Sequence, residues 1–271
     1  MFVDTHCHLN IMAPKQPAEP LQEHHFMHID VAVREAQAAG VTTIINVGTD
    51  LIESEASMAI AKRYPGIFAT VGVHPTDCNA LPASPQGVVG ALRSWLKHKE
   101  DHKIVGVGEL GLDFYHKPYD EQKQKDYCRA QIELALEHHL PVVIHVREAA
   151  DEALRLLEEY VKQGLRGVMH CFQQEQYVAD QVCAWGLLVG LDGPINYPKN
   201  AALRETFKKI PLEHIVLETD APFLPPQQLR GKQNRPAYIP LIAQELATLK
   251  GIELAVVEQQ TTANAKRLFG V

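Results

Sequence analysis

Short apolar, β-branched runs alternate with stretches whose apolar residues recur every three to four positions, from Phe2 almost to the end of the chain. The first pattern predicts buried strands and the second amphipathic helices. Met1-Phe2-Val3-Asp4-Thr5-His6-Cys7-His8 reads as the first strand. Residues 42–48, 67–73, 104–109, 141–146, 167–172, 187–191 and 214–219 read as seven more. Helices are predicted at 26–39, 53–64, 86–99, 120–139, 148–161, 174–185 and 200–209, and two close the chain at 240–250 and 254–268. In the 120–139 segment, Cys128, Ile132, Ala135 and Leu136 form one stripe. Residues 10–25 hold Pro14, Pro17 and Pro20, which excludes a helix or a central strand and predicts a long loop.

Eight strands alternating with helices, near-continuously apolar and with no polar linker between them, predict a parallel sheet covered on both faces. The 271 residues suit a (β/α)8 TIM barrel forming a single domain, residues 1–271. An open doubly wound sheet would need a glycine-rich phosphate loop after an early strand. No G-x-G-x-x-G is present, and Gly106-Val107-Gly108 is a fragment inside a strand.

The composition narrows the function. A net charge of −7 is no footprint for a protein that coats nucleic acid, yet it is compatible with gripping a few phosphates in a small cleft. The 5 cysteines are scattered, with no Cys-x-x-Cys, so neither a disulfide framework nor a zinc ribbon is expected. No apolar run approaches a membrane span. Asp4 and His6 stand where a signal peptide would be basic and then apolar, so a cytoplasmic protein is expected, with no membrane association and no stable protein partner.

The chemistry gathers at one end of the strands. Strand one ends in His6 and His8, strand three in His74, strand four in Glu109, strand five in His145 and strand six in His170, and Asp220 follows strand eight. No strand begins with a comparable set. In a (β/α)8 barrel the C-terminal end of the strands is where active sites lie. Strand alternation points His6 and His8 the same way and Cys7 the other. His145 and His170 sit in apolar runs, and either alone reads as a hydrogen-bonded core histidine. Several facing one point read as metal ligands, since each would otherwise need its own buried partner. Neutral imidazole with carboxylate suits zinc, manganese, iron or nickel, while magnesium prefers oxygen ligands. There are donors enough for two divalent ions about 3.5–4 Å apart. Glu109, between the histidine groups, is the natural bridge, and Asp220 can hold a metal and take a proton from an attacking water. Glu218 shares the parity of Asp220 and is expected behind the ligands, and Cys7 and Cys171 are expected to pack under the helices.

At these residues the sequence resembles the TatD-like metal-dependent deoxyribonucleases, among the amidohydrolase-type barrels. Asp4-Thr5-His6-Cys7-His8-Leu9, Gly72-Val73-His74-Pro75, Gly108-Glu109-Leu110-Gly111-Leu112-Asp113, His145-Val146-Arg147, His170-Cys171-Phe172 and Glu218-Thr219-Asp220-Ala221-Pro222 follow in the family's order. The resemblance implies His6, His8, Glu109 and Asp220 around one metal and Glu109, His145 and His170 around the other. Zinc, manganese, magnesium and nickel are the candidates. It also implies hydrolysis of phosphodiesters in DNA, often from the 3′ end of a single strand, with Asp220 and Glu109 catalytic. The chain departs from the family at Gln173-Gln174, where a small Gly/Ser turn is usual, and at Gln233-Asn234-Arg235-Pro236, where Arg-Asn-Glu-Pro is usual. The second change rearranges charge beside the mouth.

For the substrate, Arg147 has the parity of His145 and a planar fork of donors for phosphate. An ion pair to Glu148 or Asp151 is its structural alternative. His74 is the other phosphate contact or proton donor. Phe114, Tyr115 and Tyr197 are candidates for stacking on bases or for packing. The Pro14–Pro20 loop is expected to shape substrate access. The rival readings are the same barrel acting on a non-nucleic-acid ester, amide or cyclic substrate, and a metal-binding protein without turnover.

Overall fold

A computed structural model describes residues 1–16 and 19–271. Eight parallel strands follow in chain order: β1 (Phe2–Cys7), β2 (Val41–Val47), β3 (Ile67–Val71), β4 (Ile104–Asp113), β5 (Val142–Arg147), β6 (Gly167–Met169), β7 (Leu188–Leu191) and β8 (Ile215–Leu217). The ring closes where the Asp220 N–H donates to His6 O (2.9 Å) and the His8 N–H to Ala221 O (2.7 Å). The helices are α1 (Leu9–Met12), α2 (Phe26–Ala38), α3 (Leu51–Arg63), α4 (Gln86–Leu96), α5 (Glu121–Glu137), α6 (Ala150–Val161), α7 (Gln176–Ala184), α8 (Ala201–Lys209), α9 (Ile239–Lys250) and α10 (Leu254–Phe269). The expected (β/α)8 barrel is what forms.

Two apolar cores hold it. The larger lies between the strands and the helices and includes Ile44, Val71, Leu110, Ile132 and Leu157. The smaller fills the barrel itself with Val3, Ile45, Val47, Val143, Val168, Leu188 and Val216. Leu268 and Phe269, at the end of α10, close this inner core from below, near the starts of the strands. The opposite end of the barrel is left for polar side chains.

Several boundaries differ from the sequence expectation. One helical turn, α1, forms in the segment read as loop, because the helix-breaking prolines begin only at Pro14. β4 runs on past Glu109 to Asp113, where Gly111 pairs with His145 and Asp113 with Arg147. Glu109 therefore projects from within a strand rather than from its end. β6 and β8 stop early, at Met169 and Leu217, and the chain then turns through left-handed backbone at Cys171 (φ 44) and Asp220 (φ 56). Part of the Pro14–Pro20 loop lies outside the described residues. Beside it Lys15 is ion-paired with Glu53 of α3.

Candidate metal centre

Glu109 stands at the middle of the mouth, and its two carboxylate oxygens face different histidines. Oε1 lies 2.7 Å from His170 Nε2, 3.0 Å from His145 Nδ1 and 3.4 Å from His74 Nε2. Oε2 lies 3.4 Å from His6 Nε2 and 3.8 Å from His8 Nε2. Asp220 closes the second group, with Oδ1 3.4 Å from His8 Nε2 and 3.6 Å from His6 Nε2. His6 and His8 do share a face, with their Nε2 atoms 3.0 Å apart. The His6 ring stacks on that of His170, with centroids 3.9 Å apart.

Electrostatics sharpen this arrangement. Burial opposes the charge on Glu109, but His170, His74 and His6 outweigh it and hold the carboxyl well below its usual range. Asp220 is likewise opposed by burial and lowered by His8 and His6. Burial, joined by the neighbouring His170, pulls His6 down to about 4, which favours the neutral imidazole that a metal requires. His145 is opposed by burial yet pushed up to about 9 by Asp113 and Glu109 on either side.

The donor set fits metal. Three triads bring one ligand atom from each member to within 4.8 Å of the others: His6–Glu109–His170, His6–His8–Asp220 and His74–Glu109–His145. Converging imidazole nitrogens 3.0 Å apart are poor neighbours without a cation or shared proton between them. The triads bring together all six residues expected as ligands and add His74, and they group them differently from the sequence expectation, with His6 beside His170 and His145 beside His74.

A supporting layer fixes the rings, and most of it was missed in the sequence. Asp113 accepts from His145 Nε2 (3.1 Å), from His116 Nδ1 (2.8 Å) and from the N–H groups of Tyr115 and His116. Gln124 of α5 clamps the Asp113 backbone at both N–H and C=O (2.9 Å each). The available signal was parity, since Asp113 lies on the same face of β4 as Glu109. His8 Nδ1 donates to Val47 O (3.0 Å), which leaves Nε2 free to ligate. Asp4 accepts from the Thr219 hydroxyl (2.6 Å) and from the N–H groups of Thr219 and His6, joining β1 to the end of β8. Glu218 stands behind His170, one of the candidate ligands. Its Oε1 accepts from the Cys171 N–H and lies 3.7 Å from His170 Nδ1. Burial, with Asp192 nearby, pushes the Glu218 carboxyl well above its usual range.

Several expectations at the rim change. Arg147 is exposed, lies over the Tyr115 ring at 4.0 Å, and makes no ion pair with Glu148 or Asp151 among the described residues. His74 is held by Thr76, whose hydroxyl lies 2.6 Å from Nδ1. Cys7 packs in the outer core as expected. Cys171 does not, because its left-handed backbone turns the thiol into the mouth, beside Gln173. Tyr197 is a packing residue whose hydroxyl donates to Pro225 O, and Phe114 stacks on Tyr119. Tyr115 is exposed beside Arg147, and a further exposed aromatic over the centre is Phe223, 48% exposed and 6.1 Å from the His8 ring. Arg235 does not add charge to the mouth, because it pairs with Glu35 of α2. Its neighbour Asn234 is buried and donates to Thr219 O and Phe223 O, pinning the turn that carries Asp220.

No helix among the described residues is long and apolar enough to cross a membrane. A family model described as TatD related DNase matches residues 3–270. The chain is 32% identical over 272 residues to an uncharacterized metal-dependent hydrolase, YabD, of Bacillus subtilis, covering 100% of both. It is 35% identical over 248 residues to the 3′-5′ ssDNA/RNA exonuclease TatD of Klebsiella pneumoniae, covering 89% of this chain and 92% of the relative. Among solved structures, the TatD homologue YJJV of Escherichia coli matches with a TM-score of 0.89 and 27% identity, over 100% of this chain and 98% of that one. With a barrel of this order, a mouth of converging histidines and carboxylates, and a family match over nearly its whole length, this chain belongs to the TatD-related DNase family of metal-dependent hydrolases.

Proposed function

We propose that the protein is a two-metal phosphodiesterase that removes nucleotides from the 3′ end of single-stranded DNA. The observation that carries this reading is the division of the Glu109 carboxylate, one oxygen toward His170 and His145 and the other toward His6 and His8. His6, His8 and Asp220 would hold one ion, His145 and His170 the other, and Glu109 both. When bound, such a pair supplies Lewis-acid charge for the scissile phosphate and acidifies a water. Asp220 accepts the proton of the attacking water, because His8 and His6 keep it ionised. Arg147, with no acidic partner among the described residues, binds phosphate through its fork of donors, and His74 contacts the same phosphate or donates a proton. Asp113 holds the His145 ring in register. The whole chain acts as one catalytic domain. The name of the Klebsiella relative supports a single-stranded substrate and adds RNA as a second polymer to assay.

The test is turnover of a short end-labelled single strand with magnesium or manganese, with chelator, and with Glu109→Ala. Stepwise shortening from the 3′ end should be lost with chelator and fall on the order of 10³-fold or more in the variant. Protein carrying about two metals per chain that leaves the strand intact but hydrolyses small esters or amides would overturn the nuclease reading.

A further inference from the structure

The metal centre lies between two cavities of about 460 Å³ each, within the range that accommodates small ligands. Both are lined by His145, Arg147, His170, Asp220 and Leu224, so they form the two arms of one groove across the mouth. The arms differ in charge. The arm over β1–β4 has Asp77 and Asp113 in its wall together with apolar Ile11 and Phe223. Apart from the shared Arg147, its only basic groups among the described residues are imidazoles. The arm beyond β6 is lined by Lys199, Asn200, Gln173 and Gln174, with Glu148 as its one acid besides the shared Asp220 among the described residues. Lys199 is exposed and has no hydrogen-bond or ion-pair partner among the described residues.

A nucleic-acid strand is not symmetric about the bond cut nearest its 3′ end. On the terminal side stands one nucleoside with no further phosphate. On the other side every nucleotide adds a negative charge, which cations attract and carboxylates repel. Resting on the nuclease reading above, we propose a polarity for the bound strand. The 3′-terminal nucleoside occupies the Phe223–Asp77 arm, and the continuing chain leaves through the Lys199 arm. Lys199 binds the phosphate upstream of the scissile one. Gln173, exposed, offers its amide to the upstream nucleotides, at a position where this chain departs from the small Gly/Ser turn usual in the family, while Gln174 beside it is tied to Val146 O. Asp77 makes the other arm favour a free 3′-hydroxyl over a 3′-phosphate.

The experiment compares a dinucleotide, whose single phosphate is the scissile one, with a strand of about twelve nucleotides, using wild-type protein and Lys199→Gln. The ratio of KM for the long strand to KM for the dinucleotide should rise about fivefold in the variant, and the rise should shrink as salt is added. An unchanged ratio at low salt overturns the placement of Lys199. A second arm uses long strands ending in a 3′-phosphate or a 3′-hydroxyl, with Asp77→Asn. The variant should lower KM for the phosphate-ended strand about threefold relative to the hydroxyl-ended one. Equal change on both ends removes the terminal-nucleoside assignment. Metal-loaded wild-type protein that cleaves neither the dinucleotide nor the long strand would sink the nuclease reading itself, an outcome distinct from either variant result.

Discussion

The floor and the mouth of this barrel are built on the same faces of the same strands, two residues apart. On β5, Val143 belongs to the apolar inner core and His145 to the candidate metal centre. β6 carries Val168 below and leads to His170 just past its end. β8 carries Val216 below and leads to Glu218. All six positions point toward the barrel axis, and Val143, Val168, Val216 and Glu218 are wholly buried. The difference is chemical. The valines are held by burial alone, because apolar surface leaves water at a gain of roughly 25 cal/mol per Å². The ionisable groups lose hydration on burial and must recover it from one another, which is why they converge on Glu109. Stability is therefore concentrated below and reactivity above.

Substitutions at the two ends should separate these properties. The largest effect is expected at the mouth. Asp220→Asn keeps the shape of the side chain but removes the proton acceptor, so kcat should fall on the order of 10³-fold while the unfolding midpoint moves little. A single-turnover assay beside a thermal melt reads both, and a loss in kcat of under about tenfold would remove Asp220 from proton transfer. At the floor, Phe269→Ala takes away a ring that is 5% exposed and closes the inner core. It should cost about 3–5 kcal/mol in a urea titration and leave activity per folded molecule as it was. A floor variant that lost turnover while still folded would show the two ends to be coupled. The smallest effect is expected one layer behind the ligands. Asp113→Asn keeps a polar group against His145 but loses the charge, and it should weaken metal affinity or kcat about 10–100-fold. Metal titration followed by turnover at saturating metal separates the two. Wild-type values in both would make Asp113 a purely structural partner of His116.

The parts of the site legible in the sequence were those that strand geometry alone aligns. Period-two alternation placed His6 with His8, and Arg147 on the face of His145. The ends of the apolar runs placed His145 and His170 at one level. The residues that were missed depend on where the backbone stops being regular. Asp113 belongs to the site because β4 continues past Glu109 to pair with β5 as far as Arg147, which an apolar run ending in a charged residue does not reveal. Cys171 faces the mouth because of a left-handed backbone at that residue, against its expected packing under the helices. Phe223 stands over the centre because Asn234, distant in sequence, pins the turn after β8.

The sequence by itself determined the order of strands and helices, the barrel class, the face on which the candidate ligand side chains lie and the family. These follow from local sterics, hydrophobic period and motif spacing, which act between near neighbours along the chain. Only the tertiary structure decided how the Glu109 oxygens divide between two histidine groups, that Asp113 steadies His145, and how charge differs between the two arms of the groove. Those depend on atoms from up to eight strands meeting within a few ångströms, where small displacements in the backbone change who faces whom, and no pattern along one strand encodes them.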